Sequence, residues 1–274
     1  MSKVLFLFAL LFAAGCSSEF KSQLKAVEEI LVLNGIDPSI ARAISATSDN
    51  VNVTSINLQN DSLRVIPDAI GRLHSVRRIN FNFNQIESIS EAIGRCTALV
   101  SLELVGNRLT ALPDAIGTLK SLEVLELRNN LLEYLPESFG NLHNLKTLTL
   151  QRNRLKQLPE NFGELRSIGR VHLNQNMLET LPPSFALLRT VEIALDDNLF
   201  LVFPAQQLFP RRPQTYTGIG LSGNPIDSTS IPDLVRRHCS MWRDGIFQFA
   251  RDKDSVLRIC HTPVDESALF ANTE

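Results

Sequence analysis

The chain has 274 residues, of which 44% are hydrophobic, so it is long and apolar enough to bury a substantial core. Its 27 basic and 29 acidic side chains give a formal net charge of −2 at pH 7. This balance creates no long-range positive field. We therefore expect neither nucleic acid nor an anionic lipid surface as an electrostatic partner.

The first 15 residues have the pattern of an export signal. Lys3 precedes an unbroken apolar run over residues 4–12, which is too short to cross a membrane as a helix. The following Ala13-Ala14-Gly15-Cys16 resembles the bacterial lipobox, although that motif usually has Leu where Ala13 stands. The resemblance implies a mature chain that begins at Cys16 and is anchored in a membrane by acyl chains on this residue. The alternative is an ordinary signal peptide cleaved near the same position.

Residues 16–50 are predicted to form a tether and a helical cap. Residues 19–36 carry apolar side chains at three- and four-residue steps, which is typical of an amphipathic helix, and Asn34-Gly35 supplies its stop. Asp37-Pro38 predicts the start of a second, short helix that runs through Ile44. Because a repeat array follows, we expect these helices to cover its apolar first end.

Residues 51–230 repeat with a period of 23, which predicts a solenoid. The pattern LxxLxLxxNxLxxLPxxIGxL resembles the leucine-rich repeat. The resemblance implies an α/β horseshoe with a parallel β-sheet on its concave face, short helical or 3-10 turns on its convex face, and helical caps at both ends. We expect about eight coils, the last two irregular. The asparagine of the pattern marks the regular coils, at Asn84, Asn107, Asn130, Asn153 and Asn176.

Most residues of each repeat have a predictable structural role. The apolar residues five and three positions before the asparagine share one side of a strand and are expected in the core. The asparagine amide both donates and accepts, so it can satisfy backbone groups buried in the turn. The proline starts a convex turn. Ser90 replaces this proline once, and Cys96 replaces a core leucine, which predicts a buried, inert thiol.

The remaining strand residues point away from the core and define a candidate binding surface. Their face carries almost no aromatic residue, although binding hot spots favour Trp, Tyr and Arg; Phe83, at the strand edge, is the nearest. A solvated face without a partner is therefore the alternative. We expect seven residues to contact a protein or glycan partner: Glu103, Glu126, Arg128, Gln151, Arg170, His172 and Asn174.

Catalysis is not expected on this face. Glu103 and Glu126 would lie on adjacent strands with backbones roughly 5 Å apart. An open sheet does not exclude water, however, and no nucleophile, base and orienting group accompany the two carboxylates. The five histidines are scattered and no phosphate-binding glycine loop is present, so we predict no cofactor and no metal ion.

Residues 231–260 are predicted to form a cap at the far end of the solenoid, and residues 261–274 a loose tail. Cys239 and Cys260 lie in this cap. In an exported protein such a pair suggests a disulfide, worth roughly 3 kcal/mol in the chain-entropy model. The neighbouring His238 and His261 leave zinc as an alternative, with awkward spacing for a tetrahedral site. Unpaired thiols are the third alternative.

These features predict a non-catalytic, monomeric binding lipoprotein of the cell envelope. Ser17, rather than Asp, after the acylated cysteine indicates the outer membrane in a Gram-negative bacterium. Two alternatives are a structural envelope spacer and a secreted repeat protein without lipid. Glycosylation of Asn52, in the sequence Asn-Val-Thr, would favour the secreted protein.

Overall fold

The computed structural model describes residues 17–36, 43–46, 52–190, 192–208 and 218–230. The chain divides into two compact units, residues 1–132 and 133–274, which we call the N-unit and the C-unit. Cys16, Cys239 and Cys260 lie outside the described residues, as do the signal segment and the predicted C-terminal cap and tail. Within the described ranges, no helix has the length and apolar character needed to cross a membrane.

The N-unit begins with the expected amphipathic helix, α1 (Ser18–Leu33). The Ser17 hydroxyl caps it by accepting a hydrogen bond from Phe20 N at 3.0 Å, and Gly35 ends it with φ +70°. The buried Gln23 of α1 accepts a hydrogen bond from Val53 N at 2.7 Å and so fastens the helix to the first coil. The apolar face of α1 is buried: Phe20, Leu24, Val27, Ile30 and Leu31.

The second element of this cap is a strand, and the short helix expected through Ile44 was wrong. Ala43–Ala46 forms β1, which pairs antiparallel with β2 (Val53–Asn57) and sets Ile44 opposite Ile56. The first strand of a parallel stack exposes a row of unpaired backbone groups. Strand β1 satisfies that edge. Residues 37–42 lie outside the described residues.

Beyond β2 the N-unit continues with five further strands and three 3-10 turns. The strands are β3 (Val65–Ile66), β4 (Arg78–Asn80), β5 (Ser88–Ile89), β6 (Ser101–Glu103) and β7 (Val124–Glu126), and the 3-10 turns are Asp68–Arg72, Glu91–Arg95 and Asp114–Thr118. Strands β2, β4, β6 and β7 form a parallel sheet in this order, with matching positions directly side by side. Strands β3 and β5 form a separate two-stranded parallel sheet.

The C-unit repeats this plan, with its strands parallel in chain order. Its last strand shows that the strand pattern persists through the irregular repeats. The parallel-strand solenoid with short 3-10 turns is therefore confirmed. The strands are β8 (Thr147–Thr149), β9 (Arg170–His172), β10 (Glu192–Ala194) and β11 (Gly218–Gly220); the turns are Glu137–Asn141, Phe162–Glu164, Pro183–Leu187 and Ser228–Ser230, with one short helix, α2 (Ala205–Leu208).

The repeated asparagines have the structural role that the sequence predicts. Asn84 Nδ2 donates to Leu58 O at 2.8 Å and Phe81 O at 2.9 Å, while its Oδ1 accepts from Asp61 N at 3.0 Å and Leu63 N at 2.9 Å. One amide thus joins two consecutive coils. The equivalent amides are all at most 8% exposed. Five of them likewise donate to a carbonyl in their own coil and one in the preceding coil and accept from a backbone N–H: Asn107, Asn130, Asn176, Asn198 and Asn224. Asn153 Nδ2 donates to Leu150 O at 2.9 Å.

The convex turns also follow the predicted chemistry. Pro67, Pro113, Pro136 and Pro182 stand directly before their 3-10 turns with φ between −80° and −66°. Where Ser90 replaces proline, its hydroxyl caps the turn by accepting from Ala92 N at 3.0 Å.

Cys96 is the buried, inert thiol that the sequence predicts. It is fully buried, its Sγ donates to Ile70 O at 3.2 Å, and burial raises the pKa of the thiol to about 12. Such a group is neither a nucleophile nor a metal ligand at neutral pH.

Candidate binding surface

The strand side chains opposite the core form a polar surface on each unit. We call the outward side chains of β2, β4, β6 and β7, together with the residue two positions after the end of each strand, the N-face. The equivalent side chains of β8 to β11 form the C-face. Of the seven predicted contact residues, Glu103, Glu126 and Arg128 lie on the N-face; Gln151, Arg170, His172 and Asn174 lie on the C-face.

The N-face places two carboxylates side by side. Glu103 and Glu126 are register partners on β6 and β7, and both are half-buried. Burial raises the pKa of Glu126, the Glu103 charge raises it further, and the exposed Arg128 lowers it. Burial and the neighbouring carboxylate therefore disfavour the charged form of Glu126.

Glu103 is held in place by a residue that sequence reasoning did not select. Asn82 is 8% exposed; its Nδ2 donates to Glu103 Oε2 at 3.1 Å, and its Oδ1 accepts from Val105 N at 2.7 Å. Ser101 Oγ lies 3.4 Å from the other carboxylate oxygen. The sequence shows that Asn82 lies among the strand residues that point away from the core, but it does not show that the side chain is buried.

A chain of amides extends this network toward the first coil. Asn82 N donates to Asn80 Oδ1 at 3.0 Å, and Asn80 Nδ2 donates to Gln59 Oε1 at 3.3 Å. Gln59 N in turn donates to Asn57 Oδ1 at 3.2 Å. The first two coils therefore present an ordered row of neutral, planar polar groups.

The residue directly before each repeat asparagine, or before Asp61, which takes the place of the asparagine in the first coil, has a left-handed backbone. We call this the pre-asparagine position. Among these residues Phe83 (φ +55°) carries a large apolar side chain, and it is 50% exposed. The sequence offers no signal for this conformation because the residue types vary. In the N-unit they are Asn60, Phe83, Gly106 and Asn129; in the C-unit they are Arg152, Gln175, Asp197 and Gly223.

The C-face holds a group of polar atoms without hydrogen-bond partners. Thr149 and His172 are register partners on β8 and β9, and Gln151 follows two residues after Thr149. Thr149 Oγ1, Gln151 Oε1 and His172 Nε2 are buried from solvent and form no hydrogen bond within the described part of the chain. The sequence prediction included Gln151 and His172 but missed Thr149.

The other two predicted residues of the C-face differ in character. Arg170 pairs with Glu192 at 3.2 Å, and with their side chains 70% and 44% exposed this ion pair is worth little. Asn174 is half-buried.

At the end of the C-face, burial raises the pKa of Asp196, whose Oδ1 accepts a hydrogen bond from Ser222 N at 2.9 Å. The described residues contain no cluster of His, Cys, Asp and Glu suited to a metal ion.

Comparison with known proteins bears directly on this architecture. Two overlapping segments, residues 51–109 and 97–155, match the family model described as leucine rich repeat. The chain contains leucine-rich repeats. No curated protein sequence matches it significantly.

Solved leucine-rich repeat structures resemble the chain at the level of the fold. A plant ice-binding protein is 24% identical (TM-score 0.64) over 77% of this chain and 73% of its own. The plant peptide hormone receptor RGFR1, in complex with RGF2, is 26% identical (TM-score 0.55) over 65% of this chain and 29% of its own. The Drosophila Toll–Spatzle complex is 25% identical (TM-score 0.55) over 64% of this chain and 25% of its own. The chain therefore spans less than a third of the matched chain in each of these two complexes.

Proposed function

We propose that this protein is a non-catalytic leucine-rich repeat lipoprotein that binds a protein partner through its strand faces at the cell envelope. The observation that carries the binding proposal is the group Thr149 Oγ1, Gln151 Oε1 and His172 Nε2, which has no hydrogen-bond partner in the described structure. A polar atom withdrawn from water normally has such a partner, and leaving it without one costs about 1–3 kcal/mol. A partner that reorients and hydrogen-bonds these side chains recovers that free energy on binding.

The carboxylate pair of the N-face supports the same proposal. Because burial and Glu103 both raise the pKa of Glu126, a positive charge brought to this pair would stabilise the ionised form. A basic side chain of a protein partner supplies such a charge. Arg128 is exposed and is available to an acidic group of the same partner.

Two of the similar structures contain a bound partner: RGFR1 with RGF2, and Toll with Spatzle. These complexes support the use of a leucine-rich repeat as a binding scaffold, by analogy of fold. The analogy names no partner for this chain. Partner choice here rests on the side chains of the N-face and the C-face.

Photo-crosslinking in intact cells tests the binding proposal. A photo-reactive amino acid at Gln151 is expected to form one discrete adduct with a second protein. The matched control is Arg166, which lies on the same unit, outside the C-face, with its side chain 72% exposed. A third position at Arg128 probes the N-face. If position 151 and position 128 yield only the adducts seen at position 166, the solenoid is an envelope spacer and the binding proposal fails.

Membrane attachment through Cys16 is the second part of the proposal, and it is supported by the apolar run and the small residues before this cysteine. We propose an outer-membrane location and a monomeric chain. Intact-mass analysis of the purified protein should give a chain that starts at Cys16 and carries the added mass of acyl chains. That chain should partition into Triton X-114, and Cys16→Ala should not. An unmodified wild-type chain in the aqueous phase would instead favour secretion without lipid.

A further inference from the structure

Phe83 occupies a backbone position that suits its side chain poorly. Its φ of +55° lies in the left-handed region, which bulky residues rarely adopt. The same position holds Asn60 in the preceding coil and Gly106 in the following one, and both residue types tolerate it. The Phe83 side chain also leaves half of its surface in water. Because Arg152 and Gln175 share this backbone, the left-handed conformation belongs to the repeat. What is particular to this coil is the exposed aromatic side chain, from which neither the backbone nor the core gains.

The backbone and ring of Phe83 both contact the following coil. Phe83 N donates to Val105 O at 2.7 Å, which fixes the backbone. The ring lies against Gly106, where an added Cβ would stand 2.8 Å from Phe83 Cδ1. Glycine at position 106 thus provides the space in which the ring can lie. One aromatic side chain therefore lies beside the N-face, packed against Gly106 and half exposed to solvent.

The amide row of the first two coils is neutral and has donors to spare. Asn57 and Gln59 use their side-chain oxygens within the amide row, but neither side-chain NH₂ group donates to any residue in the described ranges. Asn80 donates one of its two N–H bonds, to Gln59. The row and Phe83 belong to the same two coils, which are joined next to Phe83 where Asn60 N donates to Asn82 O at 3.1 Å.

We propose that this end of the N-face binds a neutral glycan. One pyranose ring stacks on Phe83, while hydroxyls of the glycan accept hydrogen bonds from Asn57, Gln59 and Asn80. The negative face of an aromatic ring attracts the weakly positive C–H groups on the flat side of a sugar. Amide N–H groups match uncharged hydroxyls, which both donate and accept.

A peptide fits this end of the face less well. Peptide anchors gain affinity from apolar pockets or from desolvated charge pairs. Here a single ring lies open beside polar amides, and Asn57, Gln59, Asn80 and Asn82 carry no charge. The glycan site is separate from the protein-binding proposal, which rests on the C-face and on the Glu103–Glu126 pair, so either one can fail alone.

Isothermal titration of the purified mature protein with cellotetraose, chitotetraose and mannotetraose tests the inference. At least one of these neutral tetrasaccharides should bind, and Phe83→Asn should weaken that binding at least tenfold. Because Asn suits the left-handed position, the same variant should keep or raise the melting temperature. Phe83→Tyr preserves the ring and should retain binding. The matched control is Gln175→Asn, at the pre-asparagine position of a C-unit coil, and it should bind like the wild type.

Two results overturn the glycan site. Either none of the three tetrasaccharides binds the wild type, or Phe83→Asn binds as tightly as the wild type. A photo-reactive residue at position 83 that crosslinks a protein, in the absence of tetrasaccharide binding, would reassign Phe83 to a protein contact and reject the glycan site.

Discussion

Removing the side-chain amide of Asn84 tests whether the repeat asparagines hold the coils together. In Asn84→Ala, Leu58 O loses its donor, and the N–H groups of Asp61 and Leu63 lose their acceptor. Phe81 O keeps a second hydrogen bond, from Asn107 Nδ2 at 3.0 Å. Three orphaned groups at about 1–3 kcal/mol each bound the loss between about 3 and 9 kcal/mol. Water entry and relaxation favour the lower end, so we expect about 3–4 kcal/mol.

The assay is equilibrium denaturation in urea, followed by circular dichroism. A loss of about 3–4 kcal/mol is a large share of the roughly 5–15 kcal/mol that stabilises a typical domain, so the midpoint should fall clearly. Arg108→Ala is the control, because this exposed residue lies directly after a repeat asparagine. It should stay within about 0.5 kcal/mol of the wild type. If Asn84→Ala also stays within that range, the amide does not carry the stability that its hydrogen bonds indicate.

Three further outcomes follow from packing and burial. Gly163→Ala should destabilise the protein by about 1–3 kcal/mol or more, because an added Cβ would lie 1.7 Å from Ser184 O. In the control Gly169→Ala the added Cβ would be 4.0 Å from its nearest neighbour, Lys146 O, so this variant should be as stable as the wild type in the same assay. The pKa of Glu126 is raised above its ordinary value of 4.5 in the folded state, so its contribution to the free energy of unfolding is present below 4.5 and is lost as pH rises through the raised pKa. Glu126→Gln should flatten the dependence of stability on pH just above 4.5, and an unchanged curve would contradict this. The Cys96 thiol, with its pKa raised to about 12, should resist iodoacetamide at pH 8 until guanidinium unfolds the chain, as peptide mass spectrometry can check; alkylation of the folded protein would refute its burial.

The core and the asparagine positions could be predicted because each has one chemical requirement that every coil repeats. An inward strand position must be apolar, as at Leu102 and Leu125, and the turn needs a group that both donates and accepts, as at Asn107. The period of 23 residues makes these requirements visible in one sequence. The antiparallel strand β1 has no such signal, because it forms by pairing with the open edge of β2 and does not arise from a local sequence pattern.

The candidate surface was harder to predict because its chemistry depends on neighbours in other coils. Glu126 and Arg128 attract attention as charged residues, whereas Thr149 does not. Only the structure shows that Thr149 Oγ1 lies buried on the same face as His172 Nε2 and that neither has a partner among the described residues. The left-handed backbone of Phe83 was likewise hidden, because residues as different as glycine and arginine share its position.

The contrast between these two sets of residues separates coil-building positions from binding positions. The coils satisfy buried amides coil after coil, and Asn84 makes hydrogen bonds through both its nitrogen and its oxygen. A chain that meets such demands repeatedly does not generally leave buried polar atoms unpaired. Buried polar atoms without a partner also occur at Arg72 Nε and Asn161 Oδ1 among the described residues, so the C-face is distinguished by having three of them, Thr149 Oγ1, Gln151 Oε1 and His172 Nε2, on one surface. The exposed Phe83 ring, at a position where Asn or Gly would serve, is likewise not required by folding. We propose that recognition of a partner accounts for these few side chains, which can change without altering the coils that carry them.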